Sequence, residues 1–255
     1  MPGLYIFAGA GLSASSGLAT FRDSGGLWEN PDVNKVCDFT QFLSDRNSSD
    51  AGPLRKTFDF YNARKKDCME AVPSKAHLQI AAWQQEYGAE RVHVVTSNID
   101  DLLERAGCTQ VVHVHGDLFH MQCAVCSTTW HIGSRPFEAT EVCPECASDL
   151  TKPGVVFFGE SAPEYQTMYQ RFDPKKRSKS DVLVWVGSSM AVLTPSRVFQ
   201  LQGSWGAPSP GFKVLIDPNA KALNAREPVF DLVLEGDADS QLANVSPLLG
   251  YLSRR

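Results

Sequence analysis

Of the seven cysteines in this chain, four fall into two C-x2-C pairs, Cys123/Cys126 and Cys143/Cys146, with sixteen residues between the pairs. This is the two-knuckle spacing of a tetrahedral four-thiolate zinc site, and thiolates suit zinc because it is borderline soft and has no redox chemistry. Four protein ligands close the coordination sphere, so one structural zinc per chain is expected, with no open position for a catalytic water. A redox dithiol and a nucleic-acid-binding zinc ribbon are the competing readings. Cys37, Cys68 and Cys108 have no partner at ligand spacing and are expected to be packed thiols.

Other clusters carry polar chemistry. The stretch "GAGLS" (9–13) follows an apolar run, and its Gly9, Ala10, Gly11 and Ser13 offer a tight backbone turn of the kind that holds phosphate, or simply a structural turn. Arg22 in "TFRDSGGLW" could meet a phosphate with its guanidinium while Phe21 shields a reactive sugar from water. Asp217 in "VLIDPN" qualifies as a ribose-binding acid at a strand end, or as a turn-forming Asp-Pro. "TSNID" (96–100) and "HVHGD" (113–117) end two further strand-like runs. His115 precedes a glycine and has the proton affinity of a general base near neutral pH, although a hydrogen-bonded structural histidine reads the same way. Tyr61 and Arg64 in "FYNAR" stand three apart on a helical pattern, close enough to converge on one small group or to support their own helix.

These residues need a scaffold, and 255 residues suffice for one large α/β domain with a smaller insertion. Apolar runs at 3–8, 91–98, 110–116, 154–160, 181–189, 212–220 and 230–237 read as strands, with helical patterns after several of them. Near-continuous Val, Ile and Leu predict a parallel, doubly wound sheet covered on both faces. "GAGLSASSG" reads as a turn that opens a helix. The expected fold class is thus α/β, a Rossmann-like parallel sheet formed by residues 1–25, 75–117 and 154–255, with a smaller helical and zinc-binding domain formed by 26–74 and 118–153. A substrate cleft is expected at their junction.

Composition excludes several classes. A hydrophobic fraction of 43% and a charged fraction of 21% are those of a globular protein, and no apolar run approaches the roughly 18 residues of a membrane span. The net charge of -5 gives no basic footprint for nucleic acid, and "DPKKRSKS" (173–180) reads as a solvated loop. No basic stretch precedes the first strand-like run, so no leader peptide is expected, and the expected address is the cytoplasm.

The order and spacing of "GAGLSASSGLATFR", "TSNID", "HVHG", the paired knuckles, "FFGE" and "VGSS" resemble the sirtuin family of NAD-dependent protein deacylases over nearly the whole chain. The resemblance implies a reaction in which an acyl-lysine oxygen attacks the nicotinamide ribose, nicotinamide leaves, His115 serves as base for a ribose hydroxyl, and lysine and O-acyl-ADP-ribose are released. It implies that Asn98 positions ribose or water, Asp100 holds the nicotinamide amide and Phe21 covers the sugar. Gly9, Ser13 and Arg22 would serve the phosphates, Gly187, Ser188 and Ser189 another part of NAD, and Asp217 and Ala238 the adenosine end. Val156, Phe158, Gly159 and Glu160 would bind the substrate peptide as an added strand. "FYNAR" resembles the bacterial desuccinylating branch, where Tyr61 and Arg64 would take the carboxylate of a succinyl or malonyl group.

The chain departs from the family pattern at Ser97, where glutamine is usual, at Asp217, where asparagine is usual, and at Ser188, where threonine is usual. A sirtuin-fold ADP-ribosyltransferase or NAD glycohydrolase is the alternative activity, and a non-catalytic NAD or acyl-lysine binder the alternative class. Acyl-lysine proteins are the expected partners of a monomer.

Overall fold

In the computed structural model, whose described residues are 3–20, 35–201 and 209–251, the run LYIFA forms strand β1 (Leu4–Ala8), buried at every position. Burial on both faces suits the interior of a parallel sheet. β1 lies between β2 (Val92–Thr96) and β7 (Val182–Val186), parallel to both. With β3 (Val112–His113), β8 (Phe212–Asp217) and β9 (Leu232–Glu235) these form a six-stranded parallel sheet of order β3-β2-β1-β7-β8-β9. The chain builds outward from β1 to β3, then returns to the other side of β1. That reversal is the Rossmann-like order expected, and it opens a crevice beyond the carboxyl ends of β1 and β7.

The two faces of β1 enter two cores. Leu4, Ile6 and Ala8 pack with Val94, Val184 and Ile216 and with Ile80 and Trp83 of a covering helix, α3 (Lys75–Tyr87). Tyr5 and Phe7 pack on the other face with Trp185, Met168 and Phe172, Phe7 stacking on Trp185 with ring centroids 4.4 Å apart.

Two further helices, α1 (Phe39–Arg46) and α2 (Gly52–Glu70), lie against a second sheet. Its strands β4 (Gly116–Cys123), β5 (Thr129–His131) and β6 (Thr151–Val155) are antiparallel in the order β5-β4-β6. α2 buries Leu54, Phe58, Tyr61, Lys65 and Cys68, a stripe at helical spacing. This stripe joins Phe42 of α1, Leu118 and Met121 of β4, and Phe137 and Phe157 in a third core. The remaining helices are α4 (Leu102–Arg105), α5 (Glu164–Arg171), α6 (Pro195–Val198), α7 (Ala220–Arg226) and α8 (Ala238–Gln241).

The structure corrects several local expectations. "GAGLSASSG" forms two 3-10 turns, Ala10–Leu12 and Ala14–Ser16, rather than opening an α-helix, and Gly17 ends them at φ 85°. The run at 110–116 keeps only Val112–His113 in the parallel sheet, because Gly116 at φ 72° diverts the chain into β4. The run at 154–160 is no strand of the parallel sheet: β6 ends at Val155 and pairs with β4. Its Val155 and Phe157 are buried in the third core, against the two helices of the second sheet, while Phe158 is exposed. The loop "DPKKRSKS" is not wholly solvated, since Arg177 is buried and donates to Ser209 Oγ at 2.6 Å and to the Phe199 carbonyl. Among the described residues no helix is long and apolar enough to cross a membrane.

Candidate active site at the carboxyl ends of the parallel strands

Two backbone turns meet at the reversal point. Gly9 N donates to the Val186 carbonyl at 2.9 Å and Gly11 N to the Gly187 carbonyl at 2.8 Å. A Cβ on Gly9 would lie 2.5 Å from Ser188 Cβ, and one on Gly11 2.7 Å from Gly187 Cα. These glycines therefore let the turn after β1 cross the turn after β7 at backbone contact, and Ala10 stands between them. Ser189 follows, half-buried, while the Ser188 carbonyl accepts from Trp185 Nε1 at 2.8 Å. The main-chain floor so made lies where open α/β sheets bind dinucleotides, which fits NAD. Farther along the sheet edge, Asp217 Oδ1 accepts from Asn219 N at 2.8 Å, and Ala238 is packed in the first core. Phe21 and Arg22 lie outside the described residues.

Behind this floor sits a buried polar cluster. Ser13 Oγ donates to Asp100 Oδ2 at 2.9 Å and accepts from Asn98 Nδ2 at 3.0 Å, with His77 Nε2 3.3 Å away. His77 Nδ1 accepts from Ser74 N at 3.1 Å, so its proton is on Nε2 and points to Ser13. The imidazole is 0% exposed, and burial drops its pKa to about 4, so it is neutral. Burial also raises the Asp100 pKa, partly offset by the Ser13 hydrogen bond. The sequence reading placed Ser13, Asn98 and Asp100 near one cofactor but missed His77. Its signal was local: Ser74 and His77 form the capping box of α3, with histidine in the place usually taken by glutamate or glutamine.

His115 follows β3. Its Nδ1 lies 3.3 Å from the Ser97 carbonyl and its Nε2 3.0 Å from the Tyr165 hydroxyl. Burial lowers its pKa, with the Ser97 carbonyl opposing, so the ring is held as the neutral base. Ser97 itself turns away: its hydroxyl donates to the Ala8 carbonyl at 3.4 Å. Tyr165, on α5, was also missed. In sequence it stands fifty positions from His115, and nothing in a helical surface pattern marks it.

The His115 carbonyl accepts from Val156 N at 2.9 Å, which ties the histidine to the segment entering the third core. Next along, Phe157 N donates to Glu160 Oε2 at 2.6 Å, and that carboxylate pairs with the fully buried Lys152 at 3.0 Å. Glu160 therefore faces inward. Phe158 exchanges two main-chain hydrogen bonds with residues 37 and 39, and its side chain is 39% exposed beside the exposed Gly159. Tyr61 stacks on Phe157, centroids 5.3 Å apart at 5°, and donates its hydroxyl to Cys37 Sγ at 3.4 Å. Arg64 is instead paired with Asp67 on the same helix. The structure thus brings Tyr61 to the segment beside His115 and leaves Arg64 part-exposed on its helix, the two without a shared partner among the described residues.

Cys123 ends β4 and the other knuckle cysteines lie in or next to turns, and the four sulfurs are all within 4.8 Å of one another, with Cys123 to Cys146 and Cys126 to Cys143 at 3.6 Å. A tetrahedron of Zn–S bonds of about 2.3 Å has edges of about 3.8 Å, so the cage fits zinc. The other three cysteines are buried thiols, as expected.

The chain matches the Sir2 family over residues 9–194. It is 40% identical over 193 residues to an NAD-dependent protein deacylase of Campylobacter jejuni, covering 76% of each chain. The match to an NAD-dependent protein deacylase of Helicobacter pylori is 31% over 249 residues, 98% of this chain and 96% of that one. A solved Sir2 homolog–NAD complex aligns at 28% identity with TM-score 0.74, covering 98% of this chain and 90% of that one. A mutant Sir2 homologue in complex with ADP-ribose aligns at 27% and TM-score 0.76, covering 99% and 94%. With a parallel sheet reversing where Gly9 and Gly11 meet Gly187, Ser13, Asn98, Asp100 and His115 beyond the carboxyl ends of its strands, and a four-cysteine cage at the end of β4, the chain belongs to the Sir2 family.

Proposed function

We propose that this chain is an NAD-dependent protein-lysine deacylase that prefers succinyl and malonyl groups and also accepts acetyl-lysine. The observation that carries the deacylase reading is the gathering of Gly9, Gly187, Asn98, Asp100 and His115 at the carboxyl ends of β1, β7, β2 and β3. When bound, NAD supplies the glycosidic bond whose cleavage releases nicotinamide and the ribose that takes the acyl group.

Each residue then has a task set by its surroundings. His115 presents a neutral Nε2 to accept a proton from a hydroxyl, the task burial suits it for. Asn98 is fixed by its Nδ2 bond to Ser13, which leaves its amide oxygen to orient a hydroxyl or water. Asp100, held by Ser13 and by Leu102 N, is positioned to accept from the nicotinamide amide. Residues 156–159 run beside His115, and with Phe158 exposed they offer a rim for an extended peptide. Phe21 and Arg22 keep their family roles in this reading, over the ribose and phosphate.

The acidic-acyl preference is supported by the Tyr61–Phe157 stack, which puts α2 against the segment bonded to His115. Arg64 lies one turn beyond, and its exposed pair with Asp67 is of a kind worth only about 0–1 kcal/mol, so exchanging Asp67 for an acyl carboxylate costs little. The test is NAD-dependent deacylation of one peptide carrying acetyl- or succinyl-lysine, in wild type, Arg64→Met and His115→Ala. The reading requires loss of both activities in His115→Ala and selective loss of desuccinylation in Arg64→Met.

The turn of Ser97 toward Ala8 favours a second reading, an NAD glycohydrolase or ADP-ribosyltransferase, because the hydroxyl at this position is given to the main chain. Nicotinamide release at the same rate with and without acyl peptide would establish it. The net charge of -5 supports a protein without nucleic-acid affinity, and we take it to be a cytoplasmic monomer, checked by light scattering and fractionation.

A further inference from the structure

The Ser97 carbonyl can only accept, so the hydrogen on the His115 ring is at Nδ1 and the Nε2 lone pair is bare. The Tyr165 hydroxyl, 3.0 Å from Nε2, is therefore the donor, and it occupies the acceptor site a general base needs. The rings are tilted at 53° with centroids 5.9 Å apart, so the contact runs through the hydroxyl and is not a ring stack. Burial raises the Tyr165 pKa, with Arg197 opposing, which keeps the phenol protonated and donating.

The surroundings leave this hydroxyl to His115. Arg197 lies over the Tyr165 ring with Cζ 5.8 Å from its centroid, yet its Nε is donated to the Tyr169 hydroxyl at 2.8 Å. The titratable neighbours of His115 in sequence are paired elsewhere, His113 with Glu104 at 2.9 Å and Asp117 with His120 at 2.8 Å. Just past β2 the Ser97 carbonyl meets the ring, and from the segment at 156 the Val156 main-chain N–H reaches the His115 carbonyl. Among the described residues Tyr165 makes the imidazole's side-chain hydrogen bond.

We propose that Tyr165 is a positioning residue for His115: its hydroxyl holds Nε2, fixes the tautomer with the proton on Nδ1, and gives way to a ribose hydroxyl that takes the same acceptor. The inference rests on the reading of His115 as the base. A donor to the neutral ring favours imidazole over imidazolium, so the contact lowers the His115 proton affinity. Tyr165 stands in the first turn of α5, a few residues of chain after the segment proposed to bind peptide, so that segment is linked to the hydroxyl that meets His115.

Tyr165→Phe keeps the ring and removes the donor, and Tyr169→Phe, which touches Arg197 and not His115, is the control. The 15N-detected titration of His115 in the NAD-free protein should shift up by about 0.5–1 pH unit in Tyr165→Phe and stay in place in Tyr169→Phe. The acid limb of kcat/KM for NAD should move by the same amount, with a plateau no lower than wild type. An unmoved His115 titration in a folded Tyr165→Phe protein overturns the proposal, as does a lowered plateau with an unmoved limb. A shifted titration with an unmoved kinetic limb upholds Tyr165 as the residue that sets the His115 proton affinity and removes His115 from the role of base.

Discussion

Arg64 donates from Nε to Asp67 Oδ2 at 3.0 Å, one turn along its own helix, while Tyr61 on that helix donates to Cys37. The pair proposed to read an acyl carboxylate is thus held by two internal partners, one charged and one a weak sulfur acceptor. Asp67→Asn should free the guanidinium and raise kcat/KM for a succinyl peptide about 2–5-fold over wild type, within the energy of an exposed ion pair. Arg64→Met should lower it about 10–100-fold, the range for a charge-assisted hydrogen bond, with the acetyl peptide changed less than threefold. Parallel assays of both peptides decide this, and equal effects on the two return Arg64 to a surface role.

Zinc removal should be felt in α2. Asn62 Nδ2 donates to the Phe137 carbonyl at 3.1 Å and Asn62 Oδ1 accepts from Phe137 N at 2.7 Å, while Lys65 donates to the Arg135 carbonyl at 2.6 Å. Residues 135–137 lie between the two knuckles, so losing the cage loosens the clamp on the helix that carries Tyr61 and Arg64. One zinc per folded chain is expected by atomic emission. A strong chelator, or Cys143→Ser, should lower Tm and raise KM for the acyl peptide more than KM for NAD. A metal content well below one in folded protein counts against the four-thiolate cage.

Three histidines make stability depend on pH, two in one sense and one in the other. His77, depressed by burial to about 4, and His93, depressed to about 4 by burial and then Arg171, take up protons in the unfolded chain near pH 6.5 but not in the folded one. Their contribution is complete above about pH 6.5 and is lost as pH falls toward 4. For His113, burial opposes the proton, but the Glu104 hydrogen bond and charge outweigh it and lift the pKa to about 9. That contribution is complete below about pH 6.5 and is lost as pH rises through 9. Glu104→Gln should therefore remove much of the alkaline decline in Tm and leave the acid decline as it is, read by calorimetry between about pH 4.5 and 9.5.

Gly187→Ala tests the crossing of the two turns. The new Cβ would lie 2.5 Å from Leu12 N, at a residue whose φ is 61°. Strain of about 1–3 kcal/mol is expected, with a fall in Tm and weakened NAD binding by calorimetric titration. An unchanged Tm and NAD affinity would mean that the turns can separate without consequence.

Local chemistry was enough for part of this molecule. The cysteine spacing specified the cage, because metal geometry constrains ligand separation along a short chain. The unbroken apolar runs specified a parallel sheet, because only strands covered on both faces can be apolar throughout. The polar residues at the ends of those runs, Asn98, Asp100 and His115, came together because parallel strands bring all their carboxyl ends to one edge. What the run at 154–160 pairs with was settled by long-range packing, since an apolar segment is equally content in either sheet until β4 and Phe157's partners are in place. So too were the partners of the site residues. Ser13 meets His77 across sixty-four positions and His115 meets Tyr165 across fifty, and single hydrogen bonds of that separation leave no period or spacing in a sequence. Only the closed tertiary structure, by burying these groups where water cannot serve them, determined which donor faces which acceptor.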